Sequence, residues 1–383
     1  MIITRFTLLF IVWTLFFAGI IAIFSASSAE ILDLELDHSL YSSVMKQAIY
    51  SLAALITGIT VYRVGYKTIL QISPFLLFIF TLLLLGTLIP GIGREVNGSR
   101  RWLPLGPFSF QPSEPVKYIL LAFFIHEYGK IIEKKDLFIN FLKIGGKCLV
   151  PICLILVEPN NGTVAVIGIS LIVLCFIMKI PVAYWGAPLA ICLVIGIAFA
   201  SQLPYVSARI KVYLNPELDI RGKGHQPYQA KIAAGSGGLT GKGPGKSLQK
   251  LSYLPEAQND YIAAIIAEEY GFIGIFTLIF LYALLALTGM SVAIGTPDPG
   301  GCYLAAGITF IITFQAFLNM GVVSGLLPST GLNLPFVSQG GTSLIANTIG
   351  MALLLSIESC RVLIKTLPAF NKDGIELSSV NRL

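Results

Sequence analysis

The 383 residues are 55% hydrophobic and only 12% charged, with a net charge of +6 and a mean hydropathy of +0.80. Soluble proteins carry roughly 25% charged residues, so a bilayer must solvate most of this chain, and a string of soluble domains is excluded. The basic residues are spread among loops rather than gathered in one basic domain, which points to anionic membrane lipids as partners and away from nucleic acid.

A membrane helix takes about 20 apolar residues. Such runs occur at 6–26, 44–62, 68–89, 113–127, 141–157, 163–179, 182–203, 261–292, 302–326 and 341–366. They predict an all-α, polytopic membrane protein: one transmembrane domain over 1–383, with about ten helices and a large outer loop, 204–260, between the seventh and eighth. The stretch IAIFSASSAE has the small residues of a signal-peptidase site, but the run Phe6 to Phe24 is longer than the usual apolar region of about 7–15 residues, so a retained first helix is expected. With the N-terminus cytoplasmic, the inner loops hold Arg63, Lys67, Lys130, Lys134, Lys135, Lys143, Lys147 and Lys179, and the inner C-terminal tail adds Lys365, Lys372 and Arg382. The outer loops 27–45 and 158–162 hold no Lys or Arg. Two outer loops break the rule: 90–112, with Arg94, Arg100 and Arg101, and 204–260, with eight basic residues. Cations kept on the unfavoured side imply an anionic ligand there.

The first of these loops leads into QPSEPVK. Pro112 and Pro115 suit a helix entrance, and Ser113 is a candidate N-cap. Glu114 and Lys117 are three apart and share a helix face. They either lock two helices as an ion pair or line a cavity in which Lys117 and Arg101 meet a phosphate. The second loop contains the glycine-rich GSGGLTGKGPGKSLQK, with Lys242, Lys246 and Lys250. It lacks the first glycine of a phosphate-binding P-loop, Thr240 standing in its place, and reads as a flexible anion-accommodating loop or a solvated linker. Asp260 follows at the entrance of the eighth span, as general base or simple helix cap. Glu268 lies about 12 Å deeper along the helix, and Glu268 and Glu269 are expected to pair with internal polar or basic groups. Last, QAFLNMGVVSGLLPSTGLNLPFVSQGGTS breaks the apolar pattern between 315 and 343, where Gln315 and Asn319 share a face; non-helical backbone at membrane depth belongs beside a cavity.

The six cysteines, at 148, 153, 175, 192, 302 and 360, lie in or beside apolar spans without metal-ligand spacing and read as small apolar filler. His38, His126 and His225 are scattered, which argues against a histidine metal site.

These blocks, in this order, closely resemble the RodA/FtsW (SEDS) family of membrane glycosyltransferases. The likeness runs from Ser25–Ser27 through RWLPLGPFSFQPSEPVK to LPFVSQGGTS and covers nearly the whole chain. It implies a ten-helix protein of the bacterial inner membrane that polymerises lipid II into glycan strands, working with a class B penicillin-binding protein and other divisome or elongasome proteins. GKGPGKSLQKLSYLPEA looks more like the division branch, FtsW, than the elongation branch, which implies a place at the septum. The family's essential outer-loop aspartate corresponds to Asp260, its QPSE-x-x-K pair to Glu114 and Lys117, and its RWL arginine to Arg101. The candidate site is therefore Asp260 as catalytic base, with Arg101, Gln111, Glu114, Lys117, Lys246, Ser247, Lys250, Gln315, Asn319 and Ser338 binding substrate and Mg²⁺ or Mn²⁺ as the expected cofactor. Two departures stand out. Gln258 and Asn259 replace the family's His and Thr before Asp260, and Asn160 replaces an aspartate in the E/Q-P-D-x-G-T loop, leaving Glu158 as that loop's carboxylate. The rival readings are a lipid II flippase, which broken helices would suit, and a non-catalytic scaffold for the transpeptidase.

Overall fold

The computed structural model describes residues 2–33, 41–96, 98–106, 108–132, 136–202, 213, 222, 224–250 and 257–366. Most of 204–224, the Leu254-Pro255-Glu256 of the long loop and the C-terminal tail lie outside the described residues. Helices occupy all ten expected positions: α1 (Ile2–Asp33), α2 (Tyr41–Val64), α3 (Tyr66–Leu88), α4 (Ser113–Gly129), α5 (Leu137–Val157), α6 (Asn161–Ile177), α7 (Val182–Gln202), α9 (Ile262–Gly295), α10 (Pro299–Val323) and α11 (Gly341–Thr366). Seven of them are long and apolar enough to cross a membrane by themselves. The others, α4, α6 and the described part of α7, fall short in length or carry charge, so composition alone does not establish ten crossings.

Two elements were not anticipated. A short helix, α8 (His225–Ser236), lies within the long loop and packs on α9. A three-stranded antiparallel sheet, β1 (Arg94–Val96), β2 (Ser99–Leu105) and β3 (Phe108–Phe110), fills the loop between α3 and α4. Its register sets Glu95 opposite Arg100, whose Nε donates to the carboxylate at 3.0 Å. Tyr50 of α2 ties the sheet down, its hydroxyl donating to the Ser109 carbonyl at 3.0 Å.

The fold is sorted by what each helix faces. α4 sits at the centre with nearly every side chain buried, walled by α3, α5, α6, α10 and α11. Peripheral helices turn large apolar side chains outward, among them Phe75, Phe78 and Phe272, all at least 60% exposed; in lipid such a surface carries no hydrophobic penalty. The first helix belongs to the core: Leu8, Ile11 and Leu15 are fully buried, and α1 packs along α9. Between α10 and α11 the chain from 324 to 340 is non-helical, as its prolines and glycines predict, yet most of 332–338 is buried within protein.

Candidate active site

At the entrance of α4 the helix N-cap falls on Pro112, and Ser113 is instead the first helical residue. The Ser113 hydroxyl does not cap the helix; it accepts from Asn160 Nδ2 at 3.2 Å. Four residues on, Lys117 is wholly buried. Its ammonium donates to Glu114 Oε2 at 2.9 Å and to Gln315 Oε1 at 2.7 Å. From there a polar chain runs upward. Gln315 Nε2 donates to the Asn333 carbonyl at 2.8 Å, Asn333 Nδ2 donates to the Gln339 carbonyl at 3.2 Å, and the Gln339 amide donates to the Gln258 carbonyl at 2.9 Å. One turn up α10, Asn319 Nδ2 bridges the carbonyls of Asp260 and Leu332, each at 2.7 Å.

Asp260 is thus fastened by its own backbone to α10 and to the loop 330–339. The residue is partly exposed, with Oδ2 3.7 Å from where a Cβ on Gly331 would lie. The N-cap of α9 falls on Tyr261, one residue beyond it. Ser338 is buried and closes the loop's own turn, its hydroxyl accepting from the Leu334 amide at 2.8 Å. Gln111 is partly buried, and its amide donates to Thr342 Oγ1 at 3.2 Å, joining the α4 entrance to the start of α11.

Arg101 projects from β2 onto the turn between α5 and α6. Its Nε donates to the Glu158 carbonyl at 2.8 Å and a terminal nitrogen to the Pro159 carbonyl at 2.6 Å. The Glu158 side chain is 1% exposed, with one oxygen accepting from the Thr87 hydroxyl and the other without a partner. Burial pushes its carboxyl up to about 7, against the opposing pull of the Thr87 hydroxyl and the Arg101 charge. Asn160, in the position of the family's aspartate, is 3% exposed.

The glycine-rich loop packs backbone-to-backbone on α9 and does not stand off it as a solvated linker. α9 is broken at Gly271, whose φ of 64° and ψ of −156° are non-helical, and the loop supplies the partners that the break removes. The amides of Lys242 and Gly243 donate to the carbonyls of Glu268 and Glu269 at 2.9 and 3.0 Å, while the amides of Phe272 and Ile273 donate to Gly238 and Leu239 at 2.8 and 3.2 Å. Contact is so close that a Cβ on Gly237 would sit 1.9 Å from the Ala267 oxygen and one on Gly241 2.1 Å from that of Glu269. These glycines permit backbone-to-backbone approach, not backbone freedom.

The two glutamates anchor the same loop by their side chains. Glu268 is fully buried; it pairs with Lys242 at 2.6 Å and accepts from the Ser247 hydroxyl and from the amides of Leu248 and Gln249. Glu269 pairs with Lys250 at 3.0 Å and accepts from the Ser25 hydroxyl of α1 at 2.6 Å. Lys250 also donates to Ser25 at 2.9 Å and to the Gly245 carbonyl at 2.7 Å. Ser247 and Lys250 therefore spend their polar atoms internally, as Lys117 does, whereas the Lys246 side chain is exposed and without an ion pair among the described residues. The roles of Ser25, Asn333 and Asn160 were not read from the sequence. A polar side chain inside an apolar run was the available signal at Ser25 and Asn333. Among the described residues no three His, Cys, Asp or Glu side chains gather as a metal site. The described cysteines are free thiols, Cys148 and Cys175 buried and Cys153 exposed.

Similarity to known proteins agrees with this architecture. The family model for the FtsW, RodA and SpoVE cell cycle proteins matches residues 6–362. A probable peptidoglycan glycosyltransferase FtsW of Nitrosomonas europaea is 38% identical over 344 residues, 89% of each chain. The stage V sporulation protein E of Bacillus subtilis is 36% identical over 88% of this chain and 92% of its own. Among solved structures, a chain of a peptidoglycan synthase complex that coordinates polymerization and crosslinking superposes with a TM-score of 0.74 at 25% identity, covering 92% of this chain and 97% of that one. The rod shape determining protein RodA of Thermus thermophilus gives 0.66 at 25% identity, over 92% and 96%. The match over nearly the whole length places this chain in the FtsW/RodA/SpoVE family of cell cycle proteins.

Proposed function

We propose that this protein is a peptidoglycan glycosyltransferase of the FtsW type, polymerising lipid II at the division septum beside a crosslinking class B penicillin-binding protein. The reading that favours division over elongation rests on the FtsW relatives and on the glycine-rich pattern of 241–250. The excess of Lys and Arg in alternate loops supports cytoplasmic termini and an active site on the outer face.

The observation that carries the mechanism is Asp260: a partly exposed acidic residue whose backbone is clamped by Asn319 and, through Gln258 and Gln339, by a polar chain reaching Lys117. Preorganisation of this kind holds a base in place without reorganisation at the moment of reaction. Asp260 takes the proton of the acceptor sugar's 4-hydroxyl as the oxygen attacks the anomeric carbon of the donor. The bond to undecaprenyl pyrophosphate breaks on the opposite side, and configuration inverts. The donor's pyrophosphate, anionic before the bond breaks, calls for cations. Lys246 is an exposed loop lysine without an ion pair among the described residues, and Arg101 holds the turn between α5 and α6. Lys117, Gln315, Asn319 and Ser338 act as positioning residues behind that face.

The test is glycan polymerisation from labelled lipid II by the purified full chain, alone and with its transpeptidase, comparing wild type with Asp260→Ala. Polymer from wild type alone, with unchanged thermal stability of the variant, is the expected result. Equal polymer from both would remove Asp260 from the chemistry.

A further inference from the structure

Between Arg5 and the loop that holds Asp260, α1, α2 and α11 enclose a cavity of about 350 Å³. Each helix gives one face of three turns to it: α1 from Arg5 to Phe16, α2 from Ser51 to Tyr62, α11 from Leu344 to Leu355. Eleven residues of rise make a trough about 17 Å long, close to the roughly 15 Å of hydrocarbon in one leaflet. The walls are almost wholly apolar, and the rim carries exposed Trp13 and Ile59. Gly58 lets α2 approach α11, a Cβ there meeting Thr348 Cγ2 at 2.8 Å, and the lining ends at Phe336, in the loop that carries Asn333 and Ser338.

The other end is different. Arg5 stands there, donating at 2.7 Å to the hydroxyl of Ser359, which Tyr62 also contacts at 2.9 Å. No carboxylate pairs with Arg5 among the described residues, although Lys117, Lys242, Lys250 and Arg361 all have one. A lone guanidinium with two hydroxyls at headgroup level, above an apolar trough one leaflet deep, matches a phosphate with an acyl chain below it. Ser359 lies about 27 Å along α11 from Gly341, where that helix leaves the catalytic loop, so this end belongs to the leaflet opposite Asp260. A lipid whose pyrophosphate reacts at Asp260 cannot also place that group on Arg5.

We propose that the α1–α2–α11 cavity is a binding site for an anionic glycerophospholipid of the leaflet opposite Asp260, with its phosphate on Arg5 and one acyl chain reaching Phe336. The occupant braces the loop of Asn333 and Ser338 from behind.

Trp13 on the rim provides the readout. Full-length protein with Trp102→Phe and Trp185→Phe is placed in vesicles containing phosphatidylglycerol or phosphatidylcholine brominated on the acyl chain. Quenching of Trp13 should favour phosphatidylglycerol by about 5-fold, the worth of one basic residue against an anionic headgroup. Arg5→Gln should abolish the preference and Arg5→Lys should keep most of it. Equal quenching by the two lipids, or a preference indifferent to Arg5→Gln, would overturn the site. So would displacement of phosphatidylglycerol by a polyprenyl phosphate at equal mole fraction, which would assign the trough to the substrate's own chain type.

Discussion

Lys250 and Glu269 offer the sharpest test of whether the loop lysines serve the fold or the substrate. Lys250→Met keeps the length of the side chain and deletes its charge, removing bonds to Glu269 at 3.0 Å, Ser25 at 2.9 Å and the Gly245 carbonyl at 2.7 Å. Glu269, with a side chain 1% exposed, then keeps its charge with only the Ser25 hydroxyl and the Ser247 amide beside it. Stranding one partner of a buried pair costs about 3–5 kcal/mol, because the other stays desolvated and unneutralised. Glu269→Gln strands Lys250 in the same way. Combining the two removes both charges, and two neutral groups of matching shape in that pocket should cost far less than the sum.

The assay is a double-mutant cycle on thermal unfolding in micelles, run in parallel with lipid II polymerisation. A coupling of at least about 2 kcal/mol is expected, well outside the roughly 0.3–0.5 kcal/mol scatter of independent sites. Activity should fall in each single variant and return with stability in the double variant. Additive losses would refute the structural reading of the pair. So would a double variant that regains stability yet stays inactive, since that would put the Lys250 ammonium on the substrate after all.

Two further predictions concern the backbone and pH. Gly241→Ala should lose about 2–5 kcal/mol, the sum of a left-handed residue gaining a side chain and overpacking, because φ is +80° and the new Cβ meets the Glu269 oxygen at 2.1 Å; unfolding of purified variants checks it. Glu158 binds its proton more tightly folded than unfolded, with its carboxyl raised to about 7 from 4.5. Its contribution therefore favours the fold below about pH 4.5 and is lost as pH rises through about 7. Glu158→Gln should flatten the stability profile across that window, and an unchanged slope would show that Glu158 is not the group responsible.

The helical architecture was legible because hydropathy reports each span on its own. What it could not report was pairing across the chain. Ser25 and Lys250 are 225 residues apart, and nothing in a local pattern says that a serine at the end of α1 will meet a lysine of the long loop. The glycine-rich segment shows the same limit from another side. Its composition is that of a flexible linker, yet its glycines admit the backbone of a broken helix, a constraint that arises only once Gly271 interrupts α9. Gln315 and Asn319 were readable as one face by their spacing; that the face would hold the loop 330–339, through Asn333 and Leu332, was not. The β-sheet was missed because its strands are short, β2 carries Pro104, and Pro107 and four glycines between 91 and 106 flank the strands in sequence, a composition that reads as turns.

Counting the cations that remain leads to a last prediction. Lys117, Lys242 and Lys250 are each neutralised by a buried glutamate, so they stabilise the fold and do not offer net charge to a phosphate. Lys246 sits among them in sequence but differs in kind: it is exposed, on a loop whose backbone is pinned on both sides, by Lys242 and Gly243 to α9 and by Ser247 to Glu268. A pinned loop presents the ammonium without the ordering cost that a mobile one would pay on binding. One solvated charge at about 4 Å from a phosphate oxygen is worth about 1 kcal/mol, so Lys246→Gln should raise the KM for lipid II by about 5-fold, leave kcat within 2-fold of wild type (about 0.4 kcal/mol), and leave thermal stability unchanged. Added salt should erase the difference, because the interaction is screened over a Debye length of about 10 Å at 0.1 M. A loss of stability would place Lys246 with its neighbours in the scaffold, and a fall in kcat at constant KM would put its ammonium on charge that appears only in the transition state.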